Sequence, residues 1–244
     1  MPTLRTERTI LRSGASMLAC IDEVGRGALS GPVTVGVVLV TATTRSAPAG
    51  IQDSKALRPE VRAALVPRIE RWAHGHAVGH AEPGEIDEIG IIGAMARAAR
   101  RAIGSLPHVP DAILLDGSHD YLTLRSRPMH EQGNLLEQLD AECAGHADPV
   151  DEMPMPAVTT VVKADQRCSG VAAASILAKV ARDRLMAELA SRYPAYGWDV
   201  NKGYATQVHL DALARLGPSP LHRQSWRLPG LGQQEAYPQA PTPG

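Results

Sequence analysis

Three apolar, strand-like segments of the chain each end in acidic side chains. The acids are Asp22 with Glu23 after the first segment, Asp116 after the second, and Asp165 shortly after the third. Neighbouring strands of a sheet lie about 5 Å apart, so these carboxylates can converge if their strands are adjacent. Carboxylates without a countercharge raise one another's pKa unless a divalent cation lies among them. Oxygen ligands of this kind favour Mg²⁺ or Mn²⁺ over zinc, and two such ions can hydrolyse a phosphodiester.

Each acid taken alone has a simpler interpretation, because acids at strand ends are often turn residues or helix caps. Asp22 and Glu23 pose a further difficulty, since adjacent residues of a regular strand point to opposite faces. Both can serve one site only if the strand ends or bulges there, and Gly25 permits such a departure. Spacing alone therefore leaves the common site as a hypothesis.

A glycine-rich loop, Gly25-Arg26-Gly27, follows the first acidic pair. It matches neither of the glycine patterns that bind nucleotide phosphates, and the next segment is strand-like rather than helical. A nucleotide cofactor is therefore not indicated. The loop is either a plain tight turn or a place where the backbone comes close to the sugar and phosphate of a substrate.

Apolar periodicity predicts the elements that position these residues. Two strand-like runs flank the glycine loop and predict a hairpin, and helical spacing occurs within residues 59–72, 85–103 and 171–189. On a second face of the last helix, Ser175, Lys179 and Asp183 recur every fourth residue. Strands that alternate with helices predict an α/β domain, and the hairpin makes its sheet mixed. We therefore expect a mixed β-sheet flanked by helices, with a C-terminal helical region.

The sequence also predicts boundaries along the chain. Residues 1–16 are expected to form an N-terminal extension and residues 17–228 one domain. Within that domain, residues 122–156 lack sustained periodicity, carry an excess of acids and predict an insertion. Residues 229–244 are rich in glycine, glutamine and proline and predict a disordered tail.

Composition bears on the compartment and the partners. The three cysteines lack the C-x-x-C spacing of a structural zinc site and are odd in number, which favours a reducing cytoplasm. We expect neither a signal peptide nor a membrane span. The net charge is −1, but residues 163–227 carry ten Lys or Arg against five Asp or Glu. That basic stretch is either a polyanion-binding face or ordinary solvated surface.

Several short motifs follow one another in order between about residue 18 and Trp226. They are Ile21 to Gly27 with Gly31-Pro32-Val33, Asp53-Ser54-Lys55, Glu85 to Ile89, Asp116-Gly117, Val162 to Asp165, Ala172 to Lys179 with Arg182-Asp183, and Asn201 to Thr206. Together they resemble ribonuclease HII, the type 2 ribonuclease H family. The sequence departs from the family pattern at Gln52, Gly90, Ala164 and Ala205, none of which is a proposed ligand.

The resemblance implies a ribonuclease H-like fold that carries a metal-dependent nuclease site. It assigns Asp22, Glu23, Asp116 and Asp165 as the catalytic acids that hold Mg²⁺ or Mn²⁺, with two ions expected when substrate is bound. Asp183 is similar to a family acid near the site and receives a secondary role as a metal ligand. A salt bridge would explain Asp183 nearly as well.

The resemblance also implies which residues bind the substrate. The Gly25-Arg26-Gly27 loop would read the ribose 2′-hydroxyl, the group that distinguishes RNA from DNA. Tyr204 would stack on the sugar that follows the ribonucleotide. The candidate phosphate contacts, each of which has the alternative of an ordinary surface lysine, are Lys55, Lys163 and Lys202.

The implied activity is endonucleolytic hydrolysis of the RNA strand of RNA–DNA hybrids, and of duplex DNA on the 5′ side of an embedded ribonucleotide. The products would carry 5′-phosphate and 3′-hydroxyl ends. A type 3 ribonuclease H or a junction resolvase would keep the acids but change the substrate preference. The alternative from another class is a non-catalytic binder of hybrid duplexes, against which the four intact acids argue. We expect a monomer.

The histidines offer no second site. His74, His76 and His80 lack acidic or cysteine partners at metal-binding spacing and are expected to be surface residues. His209 and His222 match positions in the C-terminal region of the family, and no chemistry is assigned to them. Their place in the fold is therefore open.

Overall fold

The computed structural model describes residues 1–123 and 148–229. Most of the expected insertion, residues 124–147, and the expected tail from residue 230 onward lie outside the described residues. In the described part of the chain no helix is both long enough and apolar enough to cross a membrane.

Five strands form one mixed sheet. They are β1 Met17–Val24, β2 Val33–Thr41, β3 Gly75–Ala81, β4 Ala112–Asp116 and β5 Ala157–Val161. Their order across the sheet is β3-β2-β1-β4-β5. The first three strands pair antiparallel, whereas β4 pairs parallel with both β1 and β5. The expected hairpin and mixed sheet are confirmed.

Helices cover both faces of this sheet. They are α1 Arg5–Arg12, α2 Pro59–Trp72, α3 Pro83–Gly104, α4 Ala164–Arg167, α5 Ser169–Arg192, α6 Trp198–Asn201 and α7 Gln207–Leu216. The alternation of side chains along a strand divides β1 between two cores. Leu18 and Cys20 pack in the core beneath α1, α2 and α5, whereas Ala19 and Ile21 pack in the core beneath α3.

The expected N-terminal extension is helical and packed. Leu4 and Leu11 are buried in the core beneath α5. Glu7 is fully buried, and its Oε1 accepts a hydrogen bond of 2.8 Å from the backbone N–H of Gly170. Burial raises the pKa of Glu7. The extension thus helps to fix the start of α5.

Helix α3 begins and bends at identifiable residues. Glu82 and Glu85 form a reciprocal capping box at its start. The helix expected at residues 85–103 is interrupted, because Gly90 has a left-handed φ of 69° within it. Near its end, Arg97 and Arg101 form ion pairs with Asp151 and Asp148. The described end of the expected insertion is therefore attached to α3.

Candidate active site

The four predicted acids lie at one end of the sheet. The β1–β4 register pairs Ile21 with Leu115, so Asp22 and Asp116 come next on adjacent parallel strands. Glu23 is the following residue of β1. Asp165 lies in α4, which the chain enters from β5 through a left-handed turn at Lys163, where φ is 55°. The topology therefore directs all four acids to one edge.

The departure from a regular strand that Gly25 would permit does not occur at Asp22 and Glu23. Strand β1 continues to Val24, and its register with β2 is unbroken through that residue. The side chain of Asp22 contacts Ser175 of α5, whereas Glu23 borders a cavity that Met95 of α3 also lines. The two carboxylates thus approach the end of β4 from opposite faces of the sheet. The pairing of β4 with β1 ends at Ile21, just before Asp22.

The acids act on one another electrostatically. Burial raises the pKa of Asp22 well above its usual range, and the negative charges of Glu23, Asp116 and Asp165 raise it further. Burial also raises the pKa of Glu23 and of Asp165, and the charge of Asp116 adds to both effects. Such mutual repulsion is relieved when a cation binds. The charge and the donor chemistry of this set therefore fit a divalent cation.

These carboxylates do not yet form a closed coordination shell. Within residues 1–123 and 148–229, no three His, Cys, Asp or Glu side chains are grouped so that they could hold a metal ion. Binding of an ion at this edge requires the side chains to turn toward it.

Hydrogen bonds orient the acids. The backbone N–H of Ala164 donates to Oδ1 of Asp116 at 2.6 Å, which ties the end of β4 to the helix that carries Asp165. Ser175 hydrogen-bonds to Asp22 and lies 2.8 Å, Oγ to Oγ, from Ser54. We gave Ser175 no role from the sequence, although its recurrence with Lys179 and Asp183 every fourth residue was a signal for it.

Two basic side chains border the acids. Arg26 lies 3.8 Å from Glu23, Nη1 to Oε1, and 59% of its side chain is exposed. Burial alone would lower the pKa of Lys55, but Asp22, Asp53 and the other acids outweigh it and raise that pKa. Lys55 is therefore held as a cation beside the carboxylates and exposed to solvent.

Asp183 has basic partners of its own. Its Oδ1 lies 2.7 Å from Nζ of Lys179, and its Oδ2 lies 3.5 Å from Nη2 of Arg62. These contacts provide the salt bridge that was the alternative to a metal-binding role.

The Gly25–Gly27 loop is held from beneath by two buried arginines. Gly25 has a φ of +87°, and a Cβ there would lie 2.2 Å from Nε of Arg182. Arg223 donates hydrogen bonds to the carbonyl oxygens of Gly25 at 2.6 Å and Arg26 at 2.8 Å. Only glycine fits at position 25, because a side chain would be strained there and would collide with Arg182. No role for either arginine was predicted from the sequence.

Tyr204 lies beside this loop, within residues 202–206 between α6 and α7, which we call the Tyr204 loop. The backbone N–H of Leu29 donates to the carbonyl of Gly203 at 2.8 Å, and Arg182 donates to the carbonyl of Lys202 at the same distance. The guanidinium of Arg182 lies 5.5 Å from the centre of the half-buried Tyr204 ring. The glycine loop and the Tyr204 loop are therefore joined through shared hydrogen bonds.

Lys163 and Lys202 are the other two lysines predicted to contact phosphates. Lys163 is exposed at the turn before α4. Lys202 is half-buried, has a left-handed φ of 53°, and donates from Nζ to the carbonyl of Asp199 at 2.5 Å.

A cavity of about 390 Å³ opens beside the acids. Its wall includes Glu23, Asp116, Arg26, His119 and Tyr121. The hydroxyl of Tyr121 is buried and has no hydrogen-bond partner among the described residues. This cavity is open to a ligand directly beside the carboxylates.

The chain is similar to known proteins over most of its length. The family model described as Ribonuclease HII matches residues 19–228. A Ribonuclease HII of Streptomyces avermitilis is 41% identical over 226 residues, which cover 92% of this chain and 83% of that protein. The crystal structure of ribonuclease H2 from Pyrococcus horikoshii superposes with a TM-score of 0.62 at 25% identity, covering 87% of this chain and 94% of that one.

A structure of Bst-RNase HIII in complex with Mn²⁺ superposes with a TM-score of 0.56 at 21% identity, covering 85% of this chain and 63% of that one, and shares the fold. The ribonuclease H-like fold that the resemblance implied is confirmed. Because the family model and a relative 41% identical both extend over most of its length, the chain belongs to the ribonuclease HII family of ribonuclease H endonucleases.

Proposed function

We propose that this protein is a divalent-metal-dependent endonuclease that hydrolyses the RNA strand of RNA–DNA hybrids. It also cuts duplex DNA on the 5′ side of an embedded ribonucleotide, and its products carry 5′-phosphate and 3′-hydroxyl ends. The observation that supports this most strongly is the position of four acids at one end of the sheet, beside the Gly25–Gly27 loop and Tyr204.

Asp22, Glu23, Asp116 and Asp165 would hold Mg²⁺ or Mn²⁺. A metal bound there would supply an activated water and would stabilise the leaving oxygen. The repulsion among the acids supports this role, because it favours a cation at their centre. The Bst-RNase HIII structure, which shares this fold, is a complex with Mn²⁺.

Selection of the ribonucleotide would fall to the neighbours of the acids. Backbone groups of Gly25 and Gly27 and the exposed Arg26 would contact the ribose 2′-hydroxyl. Tyr204 would stack on the next sugar, so that the enzyme senses an RNA-to-DNA junction. Lys55, Lys163 and Lys202 would hold the phosphates and position the duplex without reading its sequence.

The test is cleavage of an end-labelled DNA duplex that contains one ribonucleotide. We expect a single cut on the 5′ side of the ribonucleotide with Mg²⁺ or Mn²⁺, and none with EDTA or with an all-DNA duplex. A type 3 ribonuclease H would cut the continuous hybrid and leave this duplex intact, a resolvase would cut a four-way junction instead, and a non-catalytic binder would retain the duplex uncut. Any of these three results would refute the proposal.

A further inference from the structure

Two adjacent residues, His222 and Arg223, contact the segments that hold the Gly25–Gly27 loop and Tyr204. Ser30 and His222 form an isolated antiparallel bridge, and the backbone N–H of Arg223 donates to the carbonyl of Leu29 at 3.0 Å. The side chains of His222 and Arg223 are both fully buried. One is directed to the Tyr204 loop and the other to the Gly25–Gly27 loop.

Among residues 1–123 and 148–229, the hydrogen-bond partners of the Arg223 side chain are carbonyl oxygens and include no carboxylate. It donates to Gly25 and Arg26, and from Nη2 also to Gly31 at 3.2 Å. Burial, and then the charge of Arg182, lowers the pKa of Arg223 to about 9. A buried cation without an acid partner is costly. In return, the single guanidinium of Arg223 holds three backbone carbonyls of this region in place.

His222 acts on Tyr204 through a second histidine. The backbone N–H of Ser219 donates to Nδ1 of His222 at 2.9 Å, which leaves the proton of this ring on Nε2. That Nε2 lies 3.0 Å from Nε2 of His209, and Nδ1 of His209 lies 2.9 Å from the carbonyl oxygen of Tyr204.

These contacts assign both tautomers. His222 donates from Nε2 to His209, and His209 donates from Nδ1 to Tyr204. Trp198 supports the assignment, because its indole N–H points to the same accepting Nε2 of His209 at 3.3 Å. Burial lowers the pKa of both rings, so both are neutral at neutral pH. The chain of donors therefore has one direction, from Ser219 to the backbone of Tyr204.

We propose that His222 and Arg223 are positioning residues that fix the Gly25–Gly27 loop relative to Tyr204 and so set the preference for a ribonucleotide followed by a deoxyribonucleotide. The proposal rests on the proposed function, in which those two groups contact the ribose and the next sugar. Neither His222 nor Arg223 contacts substrate, since both are fully buried.

Substitutions can separate positioning from simple packing. Arg223→Lys keeps the charge but loses the forked geometry that reaches three carbonyls. His222→Ala removes the donor to His209, whereas His222→Gln supplies an amide N–H in its place. The matched controls are Arg215→Lys and His76→Gln, which make the same changes at exposed positions.

The first readout is the ratio of kcat/KM for the single-ribonucleotide duplex to kcat/KM for a continuous RNA–DNA hybrid. We expect Arg223→Lys and His222→Ala to lower this ratio by about 10- to 100-fold, as misplacement by about 1 Å does. His222→Gln should recover most of it, and both controls should match the wild type. An unchanged ratio, whether both rates fall equally or neither falls, would overturn the proposal.

The second readout is amide hydrogen exchange in the absence of substrate, which does not depend on the proposed function. We expect each of the two disruptive variants to accelerate exchange at Leu29, just after the Gly25–Gly27 loop, and at Thr206, just after Tyr204, while exchange in the centre of β1 stays slow. Exchange that is unchanged, or accelerated throughout the protein, would overturn the positioning role. Failure of the wild type to cut at a ribonucleotide would instead refute the proposed function.

Discussion

At the scale of residues, Asp116 has the most central position among the acids. It ends β4, its charge raises the pKa of Asp22, Glu23 and Asp165, and it accepts the hydrogen bond from Ala164. An amide in its place keeps an acceptor for Ala164 but removes the negative charge. Substitution there therefore changes the charge of the site with little change in its backbone.

Asp116→Asn should lower kcat/KM on the single-ribonucleotide duplex by at least about 100-fold. Loss of a residue that only hydrogen-bonds to a metal ligand already costs about 10- to 100-fold, and Asp116 is itself a proposed ligand. Steady-state kinetics with Mg²⁺ and Mn²⁺ would measure the loss. The matched control is Asp211→Asn, an exposed acid on α7 that should leave the rate unchanged. Cleavage by Asp116→Asn at the wild-type rate would remove this residue from the site.

The acids and the glycine loop could be predicted from the sequence, because their motifs lie within short continuous segments. The contacts of Arg223 could not, because the carbonyls that it binds are almost 200 positions away along the chain. His209 and His222 were likewise left without a role. Each is paired with the other across 13 positions, and no local pattern indicates that contact.

His222 makes the protein sensitive to acid. Burial, and then the nearby His209, lowers its pKa from 6.5 to about 4. As the pH falls, the unfolded chain takes up this proton near pH 6.5 and the folded chain only near pH 4. The folded state therefore loses stability across that interval, and the full loss corresponds to about 3 kcal/mol.

Urea unfolding of the wild type and His222→Gln between pH 7 and pH 4 would measure this effect. We expect the wild type to lose about 3 kcal/mol more than the variant over that range. Parallel stability curves would show that His222 is not held neutral by the fold.

At the scale of elements, close contact between β2 and α5 sets the position of Asp22. Gly36 pairs with Asp22 across the sheet, and a Cβ at Gly36 would lie 2.2 Å from the backbone carbonyl oxygen of Ala174. Ala174 precedes Ser175, which hydrogen-bonds to Asp22. A side chain at Gly36 would thus push away the helix that orients this acid.

Gly36→Ala should destabilise the protein by about 1–3 kcal/mol, the usual cost of overpacking, and should also reduce activity. Gly104→Ala is the matched control, because a Cβ there meets nothing within 4 Å. The control should be neutral or stabilising by up to about 1 kcal/mol. Equal unfolding free energies for the two variants would contradict the packing described for β2 and α5.

Strand β3 shows where periodicity failed. Its sequence, residues 75–81, contains two glycines and two histidines and was not predicted as a strand. Gly79 is needed there because a Cβ would lie 2.1 Å from the carbonyl oxygen of Ala98 in α3. The strand exists because β2 pairs with it, which is a tertiary cause. By contrast, β1 and β2 were predictable from their own apolar runs.

At the scale of the whole molecule, charge affects how the duplex binds. The net charge of −1 gives no general attraction to nucleic acid, so affinity must come from local basic groups. Lys55 and Lys163 are exposed, and Lys55 lies beside the acids. Binding should therefore involve few released counterions.

Binding of a hybrid duplex by Asp116→Asn, measured over a range of salt concentrations, would count those contacts. Adding Lys55→Ala or Lys163→Ala should reduce the magnitude of the slope of log K against log salt by about 0.9 each. The matched control is Arg68→Ala, because Arg68 is an exposed cation of α2. Lys179 is less suitable because it is paired with Asp183. An unchanged slope would show that the lysine in question contacts no phosphate.

We propose above that four acids from three separate segments, β1, β4 and α4, form one metal site at the end of the sheet. Anomalous diffraction from crystals soaked in Mn²⁺, at a concentration that supports cleavage, tests it most directly. We expect an anomalous peak within coordinating distance of carboxylate oxygens at the edge shared by Asp22, Glu23, Asp116 and Asp165. A peak elsewhere in the molecule, with none at that edge, would contradict it.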